Sequence, residues 1–144
     1  MAADSSSATL VERKEDPPKM PDKKKTKFDV IIIGAGPAGY TAGIYCSRAK
    51  RDTLILSGIL PGGQLVNTTD VENYPGFENG IMGPDLMITM RKQTERMGTT
   101  IVDDEVVNVD FRHKPFKVLT AEEEYEAKAV IIGTGATPKK LGLE

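Results

Sequence analysis

Three glycines near the start of the chain have the spacing of a ligand-binding turn. Gly34, Gly36 and Gly39 follow the apolar letters VIII, and a helix-like pattern resumes after them. In such a turn the first glycine permits a tight bend, the second lets the backbone approach a ligand, and the third lets helix and strand pack closely. The free N–H groups at the start of the helix attract phosphate. The turn therefore predicts a pyrophosphate site, with a purely steric use of the glycines as the alternative.

The elements around this turn have the order that a dinucleotide-binding fingerprint requires. The letters FDVIII predict a buried strand from Phe28, Pro37 suits the first turn of a helix that runs to about Ala49, and DTLILSG predicts a second strand. The fingerprint also expects an acidic residue at the end of the second strand, where it binds a ribose hydroxyl. Ser57 and Gly58 stand there instead, which weakens an NAD interpretation.

A glycine-rich loop over residues 59–83 follows the second strand. Its length and its two aromatic residues favour an ordered binding loop. The amides of Gln64 and Asn73 offer donors and an acceptor suited to ligand hydroxyls, but residues of this type also cap their own turns. The letters GPDLMITMRKQTERMG then predict a helix, in which an apolar stripe serves core packing. The stripe consists of Leu86, Met87, Met90 and Met97.

The rest of the chain is predicted to form strands. The patterns TTIVDDEVVNVDF, PFKVLT and EYEAKAVIIGTG are separated by the turn candidates RHK and AEEE. The last pattern repeats the opening arrangement, because a buried strand runs directly into glycine. His113 is predicted to be solvated surface and the acidic run 122–124 a polar turn. No metal site and no catalytic residue is predicted.

Composition limits the possible partners. The chain has 144 residues, 19 basic and 21 acidic side chains and a net charge of -2, so no overall attraction to nucleic acid or to a membrane is expected. No secretory signal is recognised, which predicts a cytoplasmic protein. Residues 1–27 are polar and charged and predict a disordered tail. Cys46 is the only cysteine, so no Cys-x-x-Cys pair occurs here, and a buried, inert thiol is expected.

Five motifs occur in a fixed order between Phe28 and Leu143: GAGPAGYTAGIY, GGQLVNTTDVENYPGF, GPDLM, KPFKV and IIGTGATPKKLGL. In order and spacing they resemble the N-terminal part of the low-molecular-weight thioredoxin reductases. The resemblance implies an α/β fold, namely a three-layer FAD/NAD(P)-binding Rossmann-like domain with a parallel sheet and a small antiparallel β-meander. Residues 28–144 would supply only the N-terminal portion, an incomplete first segment of the FAD-binding domain.

The resemblance further implies that the glycine turn binds FAD rather than NAD. Residues 35–38 would lie against the pyrophosphate, and the loop at Gly63 and Gln64 would continue along the cofactor. Asn73 and Val106 would also touch FAD, and residues 134–136 would pass close to the flavin. The complete set of expected cofactor-binding residues is Gly34, Ala35, Gly36, Pro37, Ala38, Gly39, Ser57, Gly58, Gly63, Gln64, Asn73, Val106, Thr134, Gly135 and Ala136.

The activity implied by the resemblance is electron transfer from NADPH to FAD, then to a dithiol, and then to thioredoxin. In that family an inserted NADPH-binding domain carries the cysteine pair, so both are expected to lie outside these residues. The family also commonly forms homodimers. Three alternatives stay open at this point: a related ferredoxin-NADP reductase, a non-catalytic flavin-binding module, and the NAD-binding domain of an ordinary dehydrogenase.

Overall fold

The structure, a computed structural model, describes residues 25–137 together with Lys139 and Gly142. Most of the tail predicted over residues 1–27 lies outside the described residues, and the first strand begins one residue before the predicted start. In chain order the elements are β1 (Lys27–Ile33), α1 (Pro37–Arg48), β2 (Thr53–Leu56), a 3-10 helix (Gly63–Asn67), β3 (Asp70–Val71), β4 (Ile81–Met82), α2 (Gly83–Arg96), β5 (Thr100–Val102), β6 (Val106–Asp110), β7 (Phe116–Thr120) and β8 (Glu124–Ile132).

Six strands of the described residues form one sheet, in the order β5-β2-β1-β8-β7-β6. The strands β5, β2, β1 and β8 pair in parallel, whereas β6, β7 and β8 pair antiparallel. The strand β8 belongs to both parts, since Ala129 pairs with Val30 of β1 and Tyr125 pairs with Val118 of β7. The fold is therefore the predicted α/β arrangement, a mostly parallel sheet with helices and a small antiparallel meander.

The two helices pack on one face of the sheet. Val30, Ile32 and Ile55 of the sheet form a buried cluster with Tyr40 of α1 and with the predicted stripe of α2. Of that stripe, Leu86, Met87 and Met90 are buried, while Met97 caps the end of the helix and is half-buried. Burying apolar side chains of this size contributes about 1.5–3 kcal/mol each.

Side chains on the opposite face of the sheet form a second buried cluster with residues of β7 and β8. Ile31, Leu54 and Leu56 point to this side and pack with Val118, Tyr125 and Ala127 from β7 and β8 in this cluster. The alternation of Ile31 and Ile32 between the two clusters follows from the two-residue period of a strand. Because side chains on both faces of these strands are buried, the letters VIII and LIL are continuously apolar rather than alternating.

The predicted loop over residues 59–83 is ordered and contains short elements of its own. The strands β3 and β4 pair antiparallel, with Val71 opposite Ile81. The backbone N–H of Gly83 donates to the carbonyl of Thr69 (2.8 Å), which attaches the start of α2 to this loop. Neither α1 nor α2, the two α-helices of the described residues, has the length and apolarity of a membrane-spanning segment.

Candidate functional site

The first and third glycines of the turn are required by close packing. Gly34 has φ +106°, a conformation that side chains other than glycine rarely adopt, and a Cβ atom there would overlap the carbonyl of Gly133. A Cβ atom on Gly39 would overlap the carbonyl oxygen of Gly34. These contacts bring the start of α1 against the ends of β1 and β8. They match two of the three roles that the glycine spacing predicted.

Gly36 is different, because the space beside it is open. It is the N-cap residue of α1, its backbone is extended (φ -85°, ψ -172°), and Pro37 follows at the first helical position. Apart from its own residue and the two adjacent residues, a Cβ atom on Gly36 would have no heavy atom within 4 Å. Packing within the chain therefore does not require glycine here, whereas close approach of a ligand to the backbone would.

This open space belongs to a cleft of about 720 Å³ at the carboxyl ends of the parallel strands. Ligands of open α/β sheets bind at this edge. Most of the predicted cofactor-binding residues line it, namely Gly34, Ala35, Gly36, Pro37, Ala38, Ser57, Gly63, Gln64, Thr134, Gly135 and Ala136. The loop is tied to the glycine turn by the N–H of Gly62, which donates to the carbonyl of Ala35 (2.9 Å).

Four predicted residues are placed elsewhere. Gly39 packs behind the turn, and the N–H of Gly58 donates to the carbonyl of Asp104 (3.0 Å). Asn73 lines a separate, shallow depression within its own loop. Val106 is half-buried against the second buried cluster, which contains Val118 and Tyr125. Their contact with a cofactor stays a prediction.

The cleft also contains residues that the sequence did not single out. Ile59 and Leu60 line it with exposed side chains, and two such apolar letters directly after a strand could have served as a signal. Glu105 lines it as well. No local pattern indicates Glu105, because its position depends on the pairing of β5 with β2. The remaining additional residues are Leu65, Gly133 and Thr137.

A polar network adjoins the cleft at Ser57, at the end of β2. The Ser57 hydroxyl donates to Oδ1 of Asp103 (2.9 Å), and the two guanidinium Nη atoms of Arg91 donate to the two oxygens of the same carboxylate (2.8 and 2.9 Å). Arg91 also donates from Nε to Glu95 (3.1 Å). The hydrogen bonds from Arg91, and secondarily that from Ser57, lower the pKa of Asp103, and the carboxylate raises the pKa of Arg91.

Removing the arginine is expected to reduce stability in a pH-dependent way. In Arg91→Gln, we expect the free energy of unfolding at pH 7 to fall by about 1 kcal/mol, since both partners are partly exposed. The folded-state pKa of Asp103 is depressed, so the stabilisation is complete above the unfolded pKa of about 3.9 and is lost as pH falls through the folded pKa. Urea unfolding at pH 7 and pH 3 measures this, with Lys92→Gln on the same helix as control. A deficit of equal size at both pH values would contradict it.

The charge distribution in the cleft limits how it can hold a ligand. Among its described lining residues Glu105 alone carries an ionisable side chain. A phosphate would therefore be held by backbone N–H groups and the dipole at the start of α1. No group of residues suited to a metal ion occurs in the described part of the chain, and His113 is exposed.

Cys46 differs somewhat from the expectation of a buried thiol. It is half-buried on α1, where it packs against the buried cluster that the two helices form with the sheet. A side chain on the flank of an amphipathic helix keeps part of its surface exposed, which the sequence pattern does not resolve. Cys46 is not among the residues that line the cleft.

The chain is similar to several known proteins. The profile of a family described as pyridine nucleotide-disulphide oxidoreductase matches residues 28–144. Thioredoxin reductase from Rickettsia bellii is 54% identical over 120 residues, covering 83% of this chain and 39% of that protein. Thioredoxin reductase 2 from Arabidopsis thaliana is 50% identical over 125 residues, covering 83% of this chain and 33% of that protein.

A solved structure shares the fold as well. Thioredoxin reductase from Giardia duodenalis superimposes with a TM-score of 0.77 at 42% identity, over 81% of this chain and 38% of that chain. The chain therefore spans about two-fifths of the length of that structure and of the Rickettsia relative.

Proposed function

The chain belongs to the pyridine nucleotide-disulphide oxidoreductases, which match it over residues 28–144, and we propose that it forms the FAD-binding part of a thioredoxin-disulfide reductase. The observation that carries this proposal is the open space at Gly36. The Cβ position of this glycine faces a cleft, and the glycines on either side of it, Gly34 and Gly39, are fixed by packing. A dinucleotide pyrophosphate requires this arrangement. The similarity to proteins named thioredoxin reductase supports the choice of reaction.

The residues of the cleft fit FAD. The pyrophosphate would lie at residues 35–38, where the first N–H groups of α1 have no partner within the helix. Gln64 would hydrogen-bond the chain between flavin and phosphate, and residues 134–136 would approach the flavin. When bound, FAD supplies the hydride and electron chemistry. The protein residues orient it, and the exposed apolar side chains of Ile59 and Leu60 would exclude water from it.

The proposal divides the reaction among different parts of a protein. Residues 28–144 form the first segment of the FAD-binding domain. Electrons would come from NADPH and leave through a dithiol to thioredoxin. Cys46 is the only cysteine of the chain, and a thiol pair is needed to cycle through a disulfide, so the pair is not assigned to these residues. The NADPH site is not assigned to them either, because the glycine turn is given to FAD. A cytoplasmic homodimer without affinity for nucleic acid or membrane completes the proposal.

Cofactor binding tests the proposal directly. We expect the chain to bind FAD with a dissociation constant well below that for FMN or NADH, because only FAD joins a pyrophosphate to a flavin and an adenosine. Flavin fluorescence and calorimetric titration of the 144-residue chain measure this. Binding of NADH in preference to FAD would support a dehydrogenase domain instead, and equal binding of FAD and FMN would contradict recognition of the pyrophosphate at Gly36.

A further inference from the structure

The link between β5 and β6 lies against the end of β2. The N–H of Ser57 donates to the carbonyl of Val102, and the N–H of Gly58 donates to the carbonyl of Asp104, both at 3.0 Å. The N–H of Glu105 donates to the side chain of Asp104 (2.8 Å). These bonds hold residues 103–105 beside the position where the fingerprint expects its acidic residue.

Ser57 and Asp103 are the polar side chains nearest to that position. Neither of them is free to act as the acidic residue of the fingerprint. Ser57 is buried, and its hydroxyl donates to Asp103. Both oxygens of Asp103 already accept hydrogen bonds from Arg91, and Asp103 does not line the cleft. The end of β2 therefore contains a carboxylate, but it is engaged in the network rather than turned toward a ligand.

Glu105 has the properties that Asp103 lacks. It lines the cleft, its side chain is exposed, and within the described residues its carboxylate has no hydrogen-bond or ion-pair partner. It is also the only ionisable group among the described residues lining the cleft. A carboxylate accepts hydrogen bonds from hydroxyl donors, which is the chemistry that the fingerprint assigns to its acidic residue.

The strand order gives the cleft two sides. Ser57, Ile59, Leu60 and Glu105 line the side of β2 and β5, while residues 133–137 line the side of β8. The start of α1 lies between them, directly after β1. A dinucleotide whose pyrophosphate lies at α1 therefore extends one half toward each side, and the flavin half is proposed to lie at residues 134–136.

We propose that the carboxylate of Glu105 accepts a hydrogen bond from a ribose hydroxyl of the adenosine half of FAD, and so replaces the acidic residue missing at Ser57. The inference rests on the proposed function, since it requires FAD in this cleft. It makes Glu105 a specificity-determining residue for the adenosine end. The acid is supplied by the neighbouring strand connection, rather than by the end of β2 itself.

Titration of the 144-residue chain with FAD and FMN tests this role. In Glu105→Gln we expect the affinity for FAD to fall about tenfold, as for loss of one hydrogen bond to a charged group. The affinity for FMN, which has no adenosine, should not change. Glu122→Gln, which removes the same charge in the turn before β8, serves as the matched control and should change neither. Unchanged FAD affinity, or an equal loss for FMN, would overturn the inference.

Adenosine analogues identify the donor. We compare how well ADP, 2′-deoxy-ADP, 3′-deoxy-ADP and inosine diphosphate displace FAD. In the unaltered chain one deoxy analogue should bind more weakly than ADP, and in Glu105→Gln this difference should disappear. If only inosine diphosphate binds more weakly than ADP, the contact lies on the adenine amino group, and the ribose assignment is overturned. If the unaltered chain binds no FAD, the proposed function fails together with this inference. FAD binding that is insensitive to Glu105→Gln removes the inference alone.

Discussion

Gly36→Val is expected to weaken FAD binding at least about 100-fold in the 144-residue chain while leaving the fold intact. The valine side chain would occupy the space through which the pyrophosphate must approach residues 35–38. Losing two hydrogen bonds to a charged group costs about 3 kcal/mol or more, which corresponds to about two orders of magnitude in affinity. Flavin fluorescence titration measures the loss.

The same substitution should be tolerated by the folded chain. The extended backbone of Gly36 is accessible to valine, and beyond the adjacent residues no heavy atom lies within 4 Å of the added Cβ. Valine is a poorer N-cap than glycine, so a loss of stability of about 1 kcal/mol is expected. Thr41→Val, on the exposed side of α1, is the matched control and should bind FAD normally. Normal FAD affinity in Gly36→Val would contradict the assignment of the cleft.

Gly39→Ala should have the opposite effect, a large loss of stability. The added methyl group would overlap the backbone carbonyl of Gly34, and a backbone atom cannot move aside as a flexible side chain can. We expect the free energy of unfolding to fall by about 3–5 kcal/mol, the range of severe packing defects. Urea unfolding followed by circular dichroism measures it.

Gly36→Ala is the control for this second experiment, because it adds the same methyl group where space is open. Its unfolding midpoint should stay close to that of the unaltered chain, within the effect of a changed N-cap. If Gly39→Ala unfolded at the same urea concentration as Gly36→Ala, the close contact between α1 and the turn would be wrong. The two pairs of variants together separate glycine used for packing from glycine used for ligand approach.

Local patterns in the sequence predicted most of the fold. The glycine turn, the proline at position 37 and the apolar strands β1 and β2 each depend on neighbouring letters, and each lies where the pattern indicates. The site was less accessible from the sequence. Ser57 could be recognised as an unusual residue at the end of β2, but the replacement at Glu105 depends on a parallel pairing between β2 and β5, which no local period encodes.

The loop over residues 59–83 shows a second limit. Its glycines and polar letters indicate irregular structure, and most of it is irregular. The short strands β3 and β4 are held by pairing between Val71 and Ile81, and the 3-10 helix packs against α2. Such elements are shorter than the window over which hydrophobic periodicity can be measured. Their presence follows from tertiary contacts rather than from propensity.

The position of β8 also determines the order in which the sheet can be completed. This strand is the last one among the described residues, yet it lies between β1 and β7, and the side-chain pair of Lys128 with Asp29 joins residues 99 positions apart. Closing so long a loop costs more entropy than pairing β6 with β7, so the meander can form early and locally. Until residues 124–132 have left the ribosome, β1 has a free edge on that side, and a nascent chain of this protein carries an unpaired apolar strand next to its glycine turn.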